Sequence, residues 1–158
     1  MIKDIDIVIY GATGFTGQLC VKYFQSLDLD IKWAIAGRNL GKLENVASKF
    51  STNVEILVAD SDDEKALKDI CSRSKVVLST AGPFHRYGSK LVATCIENDS
   101  HYVDITGENF WVKGLIEKHH KEAARKGIRI IPSCGFDSIP SDIGTFFAVR
   151  SLNKPVKR

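Results

Sequence analysis

The sequence predicts an α/β domain built on a doubly wound, six-stranded parallel sheet in the order 3-2-1-4-5-6. Three observations carry that expectation. Six short strand-like runs, the first of them rich in β-branched residues, alternate with stretches of helical periodicity, and a glycine-rich turn follows the first run. The chain of 158 residues, 44% hydrophobic and 26% charged, has the size and composition of one globular domain. Parallel neighbours need crossover connections, and right-handed crossovers lay a helix over each strand pair.

Ile5 to Tyr10 forms the first expected strand, after which Leu19, Cys20, Tyr23, Phe24 and Leu27 recur at helical spacing. Trp33 to Ala36 is the second strand, and Asn39 supplies the cap of a helix with the apolar stripe Leu40, Leu43, Ala47 and Phe50. Val54 to Ala59 is the third. A capping box of Ser61 and Glu64 then opens a helix with Ala66, Leu67, Ile70 and Cys71 on one face. Val76 to Ser79 is the fourth strand, backed by a helix marked by Leu91, Val92, Cys95 and Ile96. His101 to Ile105 and Ile128 to Ile131 make strands five and six, on either side of a helix marked by Val112, Leu115, Ile116 and Ala123. Ser138 and Asp142 read as caps and Pro140 as a first-turn residue of a last helical pattern, which Asn153, Lys154 and Pro155 break.

Several function classes are excluded by what is missing. No run nears the roughly 18 apolar residues that cross a bilayer, and charges inside MIKDIDIVIY break any secretory leader, so the chain is expected inside the cell. The net charge of +3 is small and dispersed, which argues against a nucleic-acid surface. Cys20, Cys71, Cys95 and Cys134 contain no Cys-x-x-Cys, and His85, His101, His119 and His120 have no ligand spacing. Reduced, mostly buried thiols and no metal are expected. Trp33 and Trp111 read as packing residues.

Open parallel sheets bind ligands beyond the carboxyl ends of their strands, where the strand order reverses, so the loops there carry the chemistry. The first is Gly11-Ala12-Thr13-Gly14-Phe15-Thr16-Gly17, whose glycines let backbone approach a pyrophosphate at the start of a helix while Thr13 and Thr16 offer hydroxyls. In this context the loop predicts a Rossmann-type dinucleotide site. The second strand ends in Gly37-Arg38-Asn39 instead of the acidic residue that binds a ribose hydroxyl of NAD. A guanidinium there suits a 2′-phosphate, so NADP(H) is expected in preference to NAD(H). Asp60, at the end of strand three, has two readings, contact with the adenine amino group or a turn. Ala81 and Gly82, in Ser79-Thr80-Ala81-Gly82-Pro83-Phe84, let backbone lie along the cofactor. Asp104, Glu108 and Asp137 stand in the loops after strands five and six, where a carboxylate either orients a substrate or moves a proton, or else caps a helix. Tyr87 precedes Lys90 by three residues, one short of the Tyr-x-x-x-Lys proton relay, and neither a P-loop nor a Gly-x-Ser-x-Gly elbow occurs.

Taken together, GATGFTG, AGRN, AGPF with the following YG and LV, HYVDITGE and GFDSIPSD resemble the saccharopine dehydrogenase-like oxidoreductases over nearly the whole chain. That resemblance implies NAD(P)-linked hydride transfer to an imine, a carbonyl or an activated alkene. It implies cofactor contacts by Gly11, Thr13, Gly14, Phe15, Thr16, Gly17, Arg38, Asn39, Ala81 and Gly82, and a substrate side formed by Tyr87, Asp104 and Asp137. The resemblance further implies a small-molecule or lipid-like substrate and association with lipid droplets or mitochondria, and it is compatible with a homodimer. Members of this family are typically far longer. Residues 1–151 are expected to form the dinucleotide-binding domain and 152–158 a basic tail or the start of a substrate domain, with no turnover by this part alone. The alternative reading is a dinucleotide-sensing or scaffold module.

Overall fold

The six strands pair in the order β3-β2-β1-β4-β5-β6, every neighbour parallel. The computed structural model describes residues 3–27 and 29–152, so the basic tail lies outside the described residues. In chain order the elements are β1 (Ile5–Tyr10), α1 (Phe15–Ser26), β2 (Trp33–Gly37), α2 (Leu40–Lys49), β3 (Glu55–Val58), α3 (Glu64–Arg73), β4 (Ser74–Ser79), α4 (Phe84–Glu97), β5 (His101–Asp104), α5 (Asn109–Lys126), β6 (Ile130–Ile131) and α6 (Ile139–Ser151).

The period-two alternation of each strand sends its side chains to two separate cores. Ile9 and Ile35 meet Val21 of α1 and Leu43 and Val46 of α2 on one face. Val8, Tyr10, Ala34 and Val77 meet Leu67, Ile70, Leu91, Val92, Cys95 and Trp111 of α3, α4 and α5 on the other. Both faces are covered, so the middle of each central strand is apolar, as expected for a parallel sheet, while Asp6 and Lys75 pair with each other nearer the amino ends of β1 and β4. The chain crosses from one face to the other between β1 and β4, and the strand order reverses there. Trp111 packs so closely that a Cβ built on Gly88 would lie 2.6 Å from its ring, while the indole Nε1 donates to Ser89 Oγ at 2.9 Å.

Several expectations are corrected by local geometry. The cap of α3 is Asp63, whose side chain accepts from Ala66 N, and the expected box of Ser61 and Glu64 does not form. The exposed stripe of α1 includes Leu19 and Tyr23, because the helix turns Gly17 and Val21 inward. Leu40 and Ile116 likewise face outward. β4 starts at Ser74, directly after α3, where the Ser74 hydroxyl donates to Ile70 O. β6 is only two residues long and β3 four. Ser138 stands at the N-cap of α6 without a side-chain hydrogen bond, and Asp142 lies within its first turn.

At the amino ends of the strands, Lys3 Nζ lies 2.7 to 2.9 Å from Cys71 O, Ser74 O, Asn98 O and Ser100 Oγ, four acceptors that share its three N–H groups. It thereby joins the ends of α3 and α4 to the start of β4, where the Ser100 hydroxyl also reaches Cys71 O and Ser74 O. Burial pushes its pKa below the ordinary lysine range. Lys126 Nζ donates to Ile96 O and Glu97 O.

Candidate functional site

At the opposite pole, beyond the carboxyl ends of β1, β2 and β4, lies a cleft of about 370 Å³. Gly11, Thr13, Gly14, Arg38, Ala81, Gly82 and Tyr87 line it, all of them residues expected from the sequence. Tyr10, Gly37, Ser61, Thr80 and Pro83 complete the lining. These were not expected, although Thr80 and Pro83 lie inside the Ser79–Phe84 loop already marked by its small residues.

The glycines earn their positions by contact distance. Gly11 has φ +85°, and a Cβ there would lie 2.9 Å from Ala81 N. Gly17 is buried beneath the loop, where an added Cβ would collide with Gly11 O and approach Ala12 Cα to 2.8 Å. Thr80 fastens the two loops together, its N–H donating to Tyr10 O at 2.9 Å and its hydroxyl reaching Gly11 O at 3.1 Å. Gly14 begins α1 with no side-chain cap, so the first-turn N–H groups of this helix are left for a ligand. An uncapped helix end, a backbone cradle without Cβ atoms and a nearby guanidinium fit the phosphates of a dinucleotide.

Other expected residues lie outside the cleft lining. Phe15 is 82% exposed. Thr16 is half-buried. Asn39 caps α2 by accepting from Lys42 N at 2.9 Å. Asp60 accepts from Asp62 N at 3.0 Å, which supports its turn reading. Asp137 is exposed on the loop before α6. Asp104 is almost fully buried, with Oδ1 accepting from Thr106 N and Ser133 N and Oδ2 from the Tyr102 hydroxyl, all at 2.9 Å. Burial raises its pKa, against the pull of those hydrogen bonds. It fastens the loop after β5 to the loop after β6, which otherwise share only the Ser133 hydroxyl bond to Thr106 O and the Cys134 N bond to Asp104 O.

A second carboxylate is arranged differently. Glu108 accepts from Phe84 N and His85 N at 2.8 Å and meets His85 Nδ1 at 2.7 Å. It therefore caps α4, which has no cap of its own, across 23 residues of sequence. The His85 ring also packs on Phe110. Burial opposes ionisation of Glu108, but the bonds from His85 and Phe84 outweigh it and hold the carboxyl below the ordinary glutamate value. A lowered carboxylate stabilises the fold fully above its ordinary value and loses that contribution as the pH falls through the folded one. Glu108→Gln is expected to reduce stability at neutral pH by on the order of 1 kcal/mol. Urea denaturation should show the gap from the parent chain closing below about pH 4.5; an unchanged gap in acid would contradict this role.

No group of three or more metal-ligating side chains gathers among the described residues, and none of their helices is long and apolar enough to cross a membrane.

The sheet order and the cleft at its reversal point define a doubly wound dinucleotide-binding domain. Residues 7–131 match the family described as "Saccharopine dehydrogenase NADP binding domain", and the chain belongs to that family. It is 41% identical over 153 residues to a trans-acting enoyl reductase of Mycobacterium leprae, covering 95% of this chain and 37% of that protein. It is 35% identical over 157 residues to a lipid droplet localized protein of Caenorhabditis elegans, covering 94% of this chain and 37% of that one. Among solved structures it is similar in fold to saccharopine dehydrogenase (L-Glu forming) from Saccharomyces cerevisiae, with a TM-score of 0.77 and 18% identity over 92% of this chain and 31% of that one. The chain thus spans about a third of the length of each of these proteins.

Proposed function

We propose that this chain forms the NADP(H)-binding part of a reductase that passes hydride to an activated alkene, with an α,β-unsaturated acyl group as the favoured substrate class. The observation that carries this reading is the convergence of the glycine loop, Arg38 and Ala81-Gly82 on one cleft. Gly11, Thr13, Gly14 and the uncapped start of α1 hold the pyrophosphate, with Phe15, Thr16 and Gly17 shaping that turn. Arg38 binds the 2′-phosphate, and Asn39 fixes the direction of the following helix. Asp60 holds the turn that carries Ser61 to the cleft. The bound cofactor supplies the hydride.

Tyr87 borders the substrate end of the cleft, and Asp137 stands on the loop after β6. Asp104 acts as a positioning residue, since its acceptors are engaged by Tyr102, Thr106 and Ser133. The preference for an activated alkene rests on the relatives named enoyl reductases, and a lipid-like substrate accords with the relative named for lipid droplets. Calorimetric titration of the chain with NADPH and NADH at one moderate salt concentration tests the cofactor part. Binding of NADPH in clear preference to NADH is expected; equal affinity would overturn the assignment of Arg38, and no binding of either would overturn the cofactor site as a whole.

A further inference from the structure

We propose that Ser61 is a phosphoacceptor for an acid-directed serine/threonine kinase, and that its phosphate occupies the anion site of the cleft and shuts out NADP(H). The inhibitory half rests on the cofactor reading above, whereas the acceptor half does not.

Sequence and structure supply independent observations. Ser61 is followed by Asp62, Asp63 and Glu64, all exposed, and this pattern is complementary to a kinase whose substrate groove is basic. The serine is half-buried at the rim, and its hydroxyl has only a long contact of 3.4 Å to Asp60 Oδ1. It also faces the cleft beside Arg38. The register explains why: Gly37 pairs with Val58, and Ala59 N donates to Gly37 O at 3.0 Å, so Arg38 and the Asp60-Ser61 turn leave adjacent strand ends. Arg38 makes no ion pair among the described residues. Lys90 of α4 is held against Asp62 at 2.8 Å, which engages that carboxylate. A phosphate on Ser61 would share the cleft with the guanidinium of Arg38.

In the transfer step the Ser61 oxygen attacks the γ-phosphorus of ATP. Its proton passes to the base of the kinase, a new O–P bond forms, the bond between the γ-phosphorus and the β–γ bridging oxygen breaks, and ADP leaves. The product carries about −1.5 to −2 charges near neutral pH. Those charges take up the guanidinium of Arg38 and repel an incoming 2′-phosphate. NADH, which lacks that group, is affected far less.

The chain is incubated with an acid-directed kinase and magnesium ATP, and intact mass followed by peptide mapping locates any phosphoryl group. One group on Ser61, absent from Ser61→Ala, is expected; no incorporation, or incorporation elsewhere only, overturns the acceptor assignment. Calorimetry then compares modified and unmodified chains. NADPH affinity is expected to fall at least about tenfold, or about 1.4 kcal/mol, with a much smaller change for NADH. Unchanged NADPH affinity in the Ser61-phosphorylated chain overturns the inhibitory half. If the unmodified chain binds neither nucleotide, the cofactor reading fails and takes the inhibitory half with it, while the mass measurement still decides the acceptor site.

Discussion

Replacing Arg38 by alanine is expected to weaken NADPH binding by at least about tenfold while leaving NADH nearly unchanged. Two cofactors that differ by a single phosphate isolate one interaction, because every other contact cancels in the comparison. A hydrogen bond to a charged group contributes about 1.5 to 3 kcal/mol. Arg38 is exposed, so solvent screening places it near the lower end of that range. The lower end already corresponds to roughly a tenfold change in dissociation constant. Titrations of Arg38→Ala with both nucleotides at matched salt decide the point. Equal losses for the two would assign the residue to the shared part of the cofactor or to the shape of the loop.

Gly17→Ala should produce the opposite signature, the loss of both nucleotides together with a loss of stability. The added methyl group would fall on Gly11 O and within 2.8 Å of Ala12 Cα. Both are backbone atoms, so no side chain can turn aside to make room. Relief requires α1 to move away from the sheet, which opens the packing of Val21 against Ile9 and Ile35. Overpacking of this kind costs about 1 to 3 kcal/mol. It also displaces the uncapped helix end from the cleft. Thermal unfolding and calorimetry on the same preparation should therefore change together. A variant with intact stability that still bound NADPH would show that the close approach of α1 to the loop is not required.

The strand order was legible in the sequence because each strand is a short run between turn residues and each connection has a helical period; right-handed crossovers leave little choice among topologies. Most residues lining the cleft were legible for the same reason, since the end of a strand is visible and its loop follows. The face that α1 buries was not. Leu19 and Tyr23 fit the apolar spacing, but the backbone contact at Gly17 sets the rotation of the helix and turns both outward. The cap of α3 was misplaced because Ser61, Asp62 and Asp63 are all capable caps, and only the local path of the chain selects the third. The pairing of Glu108 with the start of α4 joins residues 23 apart, and no spacing rule marks such a contact. Asp104 was visible as the end of a strand, but its burial and its three donors depend on Tyr102 and on a loop nearly thirty residues further on.

The ammonium group of Lys3 has a consequence for how this domain tolerates change. It ties the ends of α3 and α4 together at one pole of the sheet, while the cleft occupies the other, with the length of the strands between them. Substitutions at sites separated by more than about 7 to 10 Å and without shared partners add nearly independently. The domain is therefore partitioned for variation: robustness can be raised or spent around Lys3 with little effect on nucleotide selectivity, and the loops of the cleft can diversify on a scaffold secured elsewhere.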